Sequence, residues 1–233
     1  MSVIGKNIER VREIIADAAA RAGRSPDDVR LMAVTKTVDD ERIMEAIETG
    51  VDIIGENYVQ EAKRKIEKMG ADVAWHLIGH LQSNKSKYAV RLFDMIHSVD
   101  RIGLARELDK RAGLAGSTMK VLIEVSLAGE ESKSGVDSEG AIDLVREVSR
   151  LEHLSIRGLM TMPPWFDDPE GARPYFIALR ELRDRIVEAD MEHVRMDELS
   201  MGMTGDYAVA VEEGATIVRV GRAIFGERDY SKA

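Results

Sequence analysis

Short apolar runs recur along this chain, and each is followed by a stretch whose apolar positions fall at helical spacing. Eight such runs are present, at residues 31–34, 51–54, 73–78, 95–99, 119–125, 154–160, 198–201 and 216–220. Between them lie amphipathic segments such as 39–48, with Ile43, Met44 and Ile47 on one side, and 141–151, with Ile142, Val145 and Val148. Strands that alternate with helices imply a parallel sheet, because each parallel neighbour is reached through a crossover connection. Eight such units in 233 residues suit a closed barrel better than an open doubly wound sheet. The expected fold class is therefore α/β, a single (β/α)8 TIM barrel with residues 1–233 as one domain. Ahead of the first run, Ile4, Ile8, Val11, Ile14, Ile15 and Ala18 form a helical stripe, which predicts an extra helix within residues 1–24, packed on the barrel. The longest irregular pieces, 128–138 and 163–171, read as strand-to-helix loops.

Composition narrows the function classes. Acidic residues outnumber basic ones by 42 to 33, a formal charge of -9, which argues against a chain built to grip nucleic acid. There is no cysteine, so disulfides, thiolate metal sites and thiol nucleophiles are excluded. The amino terminus carries charges every few residues and lacks the apolar stretch of a signal peptide or membrane span. A cytoplasmic location with no membrane partner is expected. The basic run Lys63-Arg64-Lys65, followed by Lys68 and interleaved with Glu61 and Glu67, reads as a solvated helix face.

In a barrel of this kind chemistry gathers where strands end and their loops begin. Lys36 follows the first apolar run and is placed near the barrel mouth. Desolvation disfavours the charged amine, and a neutral amine is the form that attacks a carbonyl compound to give a Schiff base. The competing reading is a lysine that reaches back to solvent. After the last two runs come the small-residue loops SMGMTGD and VGRAIFG. Their glycines let the backbone approach an anion, Ser200 and Thr204 offer hydroxyls, and Arg222 offers a charge-assisted contact. Tight turns alone would also account for the glycines. No G-x-G-x-x-G or Walker loop is present.

An amine on the first strand and an anion cradle after the last two are neighbours only if the barrel closes. Together they call for a ligand with both a carbonyl and a phosphate. Pyridoxal 5′-phosphate and a phosphosugar substrate of a Schiff-base aldolase both qualify. Arg219, three residues before Arg222, is placed to face a pyridine nitrogen, and because arginine keeps its protons it would weaken the ring as an electron sink; an ordinary salt bridge is the alternative. His76 and His80 flank Gly79 in a strand-like segment and read as structural hydrogen-bonding groups rather than metal ligands. No metal is expected.

The motifs AVTKT, GENYVQE, WHLIGHLQSNKSK, ESKSG, RGLMTM and LSMGMTGDYAVAVEEGATIVRVGRAIFG, in this order over nearly the whole chain, resemble the YggS/PROSC family of pyridoxal phosphate homeostasis proteins. The resemblance implies a barrel like the amino-terminal domain of alanine racemases, with pyridoxal 5′-phosphate held as a Schiff base on Lys36. By the same matching Asn57 lies beside the cofactor, Ser200, Thr204, Gly221 and Arg222 hold its phosphate, and Arg219 faces the ring nitrogen. Lys133 in ESKSG matches a second lysine thought to handle the cofactor. Two positions depart from the family pattern: Thr204 stands where serine is common, and His80 occupies a variable position. The second, mostly β domain that completes alanine racemases is not expected in this chain. A monomeric protein that buffers pyridoxal phosphate and passes it to apo-enzymes is the leading expectation, with no catalytic residues assigned. The runner-up is a pyridoxal-phosphate enzyme such as a weak amino-acid racemase, using Tyr58 or a histidine as base.

Overall fold

A computed structural model describes residues 2–70, 72–128 and 134–227, so Lys133 lies outside the described residues. Eight parallel strands form a closed barrel in sequence order. They are β1 (Arg30–Val34), β2 (Ile53–Glu56), β3 (Ala74–Leu77), β4 (Met95–Val99), β5 (Met119–Glu124), β6 (Leu154–Met160), β7 (Val194–Ser200) and β8 (Ile217–Val220). Closure is made by β1, which pairs with β2 through Met32↔Ile53 and with β8 through Met32↔Arg219 and Ala33↔Val220. The expected α/β TIM barrel is the fold observed.

Helix α1 (Val3–Arg21) precedes the barrel. The crossovers are α2 (Asp40–Glu48), α3 (Val59–Met69), α4 (Ser86–Leu92), α5 (Ile102–Leu114), α6 (Ser138–Val148), α7 (Arg173–Glu188) and α8 (Tyr207–Glu212), and the short α9 (Arg222–Phe225) follows β8. The strands are buried on both faces over most of their length, as parallel strands clad by helices are, with Lys120, Arg195 and Asp197 as the exposed exceptions. The apolar layer between strands and helices is one continuous core, while Met32, Val34, Ile53, Ile78 and Ile217 pack together as a separate cluster at the strands where the barrel closes. The stripe read in the first helix is buried at Ile4, Ile8, Val11, Ile15 and Ala18, against α2, α8 and α9. Asn7 Nδ2 donates to Ile224 O at 2.8 Å and Arg42 donates to Phe225 O, so the first two helices hold α9 in place. No helix among the described residues is long and apolar enough to cross a membrane.

Three details differ from expectation. β7 starts at Val194 rather than at 198, because Arg195 and Asp197 point to solvent and break the apolar run. β2 runs on through Gly55 and Glu56, buried residues that an apolar criterion passes over. Lys65 does not belong to a solvated face: its side chain is 0% exposed and pairs with Glu56 and Glu61, whereas Arg64 and Lys68 meet Asp40 at the surface. Helical periodicity places Lys65 on the inward stripe of α3 with Val59 and Ala62, and the charge run masks that placement.

Truncation of a fully buried side chain removes transfer energy and leaves a cavity. Ile8→Ala is expected to cost about 3 kcal/mol in urea unfolding, whereas Val3→Ala, at an exposed position of the same helix, should move the midpoint little.

Candidate functional site

A cavity of about 400 Å³ opens at the carboxyl ends of the strands. Val34 comes to it from β1 and Lys36 from the turn that follows, Asn57 from just after β2 and Ile78 from just after β3. Met162 and Trp165 come from the loop after β6, Met203, Thr204 and Gly205 from the loop after β7, and Arg219, Gly221 and Arg222 from β8 and its loop. The size suits a small ligand, and three cationic side chains line it without a carboxylate among the described lining residues. In a chain of net charge -9 this is a local reversal of sign, the condition for drawing in an anion.

Of the residues singled out in the sequence, Lys36, Asn57, Thr204, Arg219, Gly221 and Arg222 are thus brought together. Ser200 is not. It lies fully buried at the end of β7, where its hydroxyl accepts from Arg219 Nη1 at 2.7 Å and meets His97 Nδ1 at 3.0 Å. Tyr58 is 62% exposed and His76 is buried in the barrel, and neither lines the cavity. His80 is exposed, 3.4 Å from Ser134 Oγ. Among the described residues no group of three potential ligands is close enough to hold a metal.

The two cradle loops are joined, since Ala223 N donates to Thr204 Oγ1 at 3.4 Å. Gly202, at φ +90°, makes the tight turn that allows the first of them, and a Cβ there would stand 2.6 Å from Ala210 Cβ. Asp206 Oδ1 accepts from Met203 N at 2.6 Å and fixes the loop before α8. Trp165, 67% exposed, stacks on the Arg222 guanidinium at 5.5 Å. Across the mouth, Gly79 packs on the backbone of Asn57 so closely that a Cβ would lie 2.3 Å from Asn57 O. Asn57 Oδ1 is buried and has no hydrogen-bond partner among the described residues, an acceptor suited to a ligand donor.

Arg219 is 3% exposed and makes no carboxylate pair among the described residues; Nη2 donates to Thr161 O at 2.8 Å and Nη1 to Ser200 Oγ. The salt-bridge alternative is therefore not what the structure shows. Burial lowers its pKa to about 10, against the opposing pull of Asp206 and Glu124, so the group remains a cation at neutral pH. Behind Ser200 the chain of polar contacts continues from His97 Nε2 to His76 Nδ1 at 3.0 Å. Burial holds His76 near a pKa of about 3 and His97 well below the ordinary histidine range, so both are neutral and each ring has one donor and one acceptor nitrogen. Sequence reasoning missed His97, because a histidine within an apolar run carries no signal until its partner from another strand is known. Glu124, at the end of β5, was passed over for the same reason.

The chain matches the family model of the alanine racemase N-terminal domain over residues 7–229. It is 45% identical over 226 residues to the pyridoxal phosphate homeostasis protein of Aquifex aeolicus, covering 97% of this chain and 98% of the relative. Among solved structures, an unknown protein from Bifidobacterium adolescentis superposes with a TM-score of 0.88 at 43% identity, over 96% of this chain and 94% of the other. PipY of Synechococcus elongatus, solved with pyridoxal phosphate bound, gives 0.81 at 38% identity over 91% of this chain and all of its own length.

Burial, reinforced by Asp100, raises the Glu124 carboxyl from 4.5 to about 7, with Arg219 opposing. Folding therefore takes up a proton between these values, and stability that is present at acid pH is lost as pH rises through 7. Glu124→Gln, always neutral, should escape that loss and exceed the native protein in urea stability by up to about 3 kcal/mol at pH 8. The difference should shrink toward pH 4.5, and a pH-independent difference would contradict the assignment.

Proposed function

The chain belongs to the family of pyridoxal phosphate homeostasis proteins, and from that premise we propose that its cavity binds pyridoxal 5′-phosphate through a Schiff base at Lys36. The observation that carries the proposal is the shared cavity, in which the β1 lysine and the β7 and β8 cradle line one space. The unpartnered Asn57 acceptor and the absence of a lining carboxylate among the described residues fit an anionic ligand with a donor on its ring. When bound, this group supplies an aldehyde that condenses with a primary amine, a C=N bond forming with loss of one water and reverting when water adds back.

The chain's own residues divide the work. Lys36 Nζ is the attachment point. Thr204 Oγ1, the Gly221 backbone and the Arg222 guanidinium hold the phosphate, with Trp165 limiting the guanidinium's freedom. Arg219 presents N–H groups to the ring nitrogen and keeps it unprotonated, since even at its lowered pKa it does not release a proton at neutral pH. Ser200 acts on the site through Arg219, whose Nη1 it accepts, rather than by touching the phosphate.

A reversible linkage suits a protein that limits free pyridoxal phosphate and passes it to apo-enzymes, and that is the role proposed, for a monomer acting in the cytoplasm. No tyrosine, histidine or carboxylate is found among the described lining residues, which favours holding over turnover.

Purified protein given pyridoxal phosphate should show the yellow absorption of the linked cofactor, and Lys36→Ala should lose it; persistence of an unchanged band in that variant would overturn the proposal. Arg222→Ala should retain the band while weakening affinity roughly ten- to a hundredfold, the worth of a charge-assisted phosphate contact, as read by titration.

A further inference from the structure

Lys36 sits in a chain segment that is tied down on both sides, and the ties come from an ion cluster between β2 and α3, centred on the buried Lys65, that the cavity itself does not use. Lys65 Nζ, fully buried, donates to Thr35 O at 2.6 Å, Glu56 Oε1 at 2.6 Å and Glu61 Oε1 at 2.7 Å. The same two carboxylates reach the segment themselves. Thr35 Oγ1 donates to Glu56 Oε1 at 2.5 Å, and Thr37 N donates to Glu61 Oε1 at 2.8 Å. The residue before Lys36 is thus held by its carbonyl and its hydroxyl, and the residue after it by its amide.

Thr37 adds an independent sign. Its φ is +62°, in the left-handed region that a β-branched residue avoids, so the bend just after Lys36 persists only because the surroundings enforce it. A buried ammonium is expensive to desolvate, and an ion cluster of this kind returns little net stability compared with apolar packing. Its return is geometric. The cluster also includes Glu56, the neighbour of Asn57, so one set of ion pairs links both sides of the cavity's Lys36 end.

We propose that Lys65, Glu56 and Glu61 form a positioning clamp that holds the Lys36 amine in register with the anion cradle. These are positioning residues, since none of the three lines the cavity. The inference rests on the attachment of pyridoxal phosphate at Lys36 proposed above and extends it to residues that the ligand does not touch. Loosening the clamp should misplace the amine while leaving Thr204, Gly221 and Arg222 where they are.

The test compares two ligands. Pyridoxal 5′-phosphate has the aldehyde that reacts with Lys36, whereas pyridoxine 5′-phosphate has the same ring and phosphate with an alcohol in its place and cannot attach. In Glu61→Ala, whose altered side chain is partly exposed and leaves Lys65 paired with Glu56, the Kd for pyridoxal phosphate should rise about tenfold or more while that for pyridoxine phosphate changes less than about twofold. Lys65→Met should do the same more severely if it folds; Glu61→Ala decides the matter if it does not. In unloaded Glu61→Ala the Thr37 amide should also exchange with solvent faster while β1 amides are unchanged. Proportional weakening of both ligands, or no weakening, would overturn the clamp, because general loosening cannot tell the ligands apart. A native protein that binds the two ligands equally would instead overturn attachment at Lys36, and the clamp with it, without reference to any variant.

Discussion

The pairing of β1 with β8 is the constraint from which the rest of this structure follows. Met32 lies in register with Arg219, so the strand that leads into Lys36 runs beside the strand that leads into Gly221 and Arg222. Residues at opposite ends of the sequence become the lining of one cavity only through those backbone hydrogen bonds. If the same eight strands kept this order in an open sheet, the amine and the cradle would lie on opposite edges.

Electrostatics then acts on what closure has assembled. Among the described residues the cavity is lined by Lys36, Arg219 and Arg222 with no carboxylate, while Glu212 and Glu213 pair with Arg173 and Glu56 and Glu61 pair with Lys65. Burial shapes each polar group in turn. It keeps His76 and His97 neutral, raises Glu124 and leaves Arg219 charged but hydrogen-bonded only to neutral acceptors among the described residues. A cation so placed keeps a free claim on an acceptor in the cavity, which a salt-bridged arginine would have surrendered.

Much of this was legible in the sequence where one residue's environment is set by its near neighbours. The strand-helix alternation pointed to the barrel, the strand-end rule drew attention to Lys36, Thr204, Arg219, Gly221 and Arg222, and the family resemblance added Asn57; all six line the one cavity. What stayed hidden depends on partners distant in the chain. Ser200 reads as a hydroxyl in a phosphate loop until Arg219 and His97 are seen to occupy it. Lys65 reads as part of a solvated basic run until α3 is docked and its inward face is found over Thr35 and Glu56. The start of β7 was lost because outward-facing Arg195 and Asp197 conceal a strand that is buried on one side only at that end.

The proposed ligand bridges the Lys36 amine and the cradle after β7 and β8. Borohydride reduction of the protein loaded with pyridoxal phosphate, followed by peptide mass mapping, tests that bridge most directly, because reduction fixes the linkage on the residue that bears it. One reduced pyridoxyl-phosphate adduct is expected, on the peptide containing Lys36. An adduct confined to another lysine, or none at saturating ligand, would contradict the bridge.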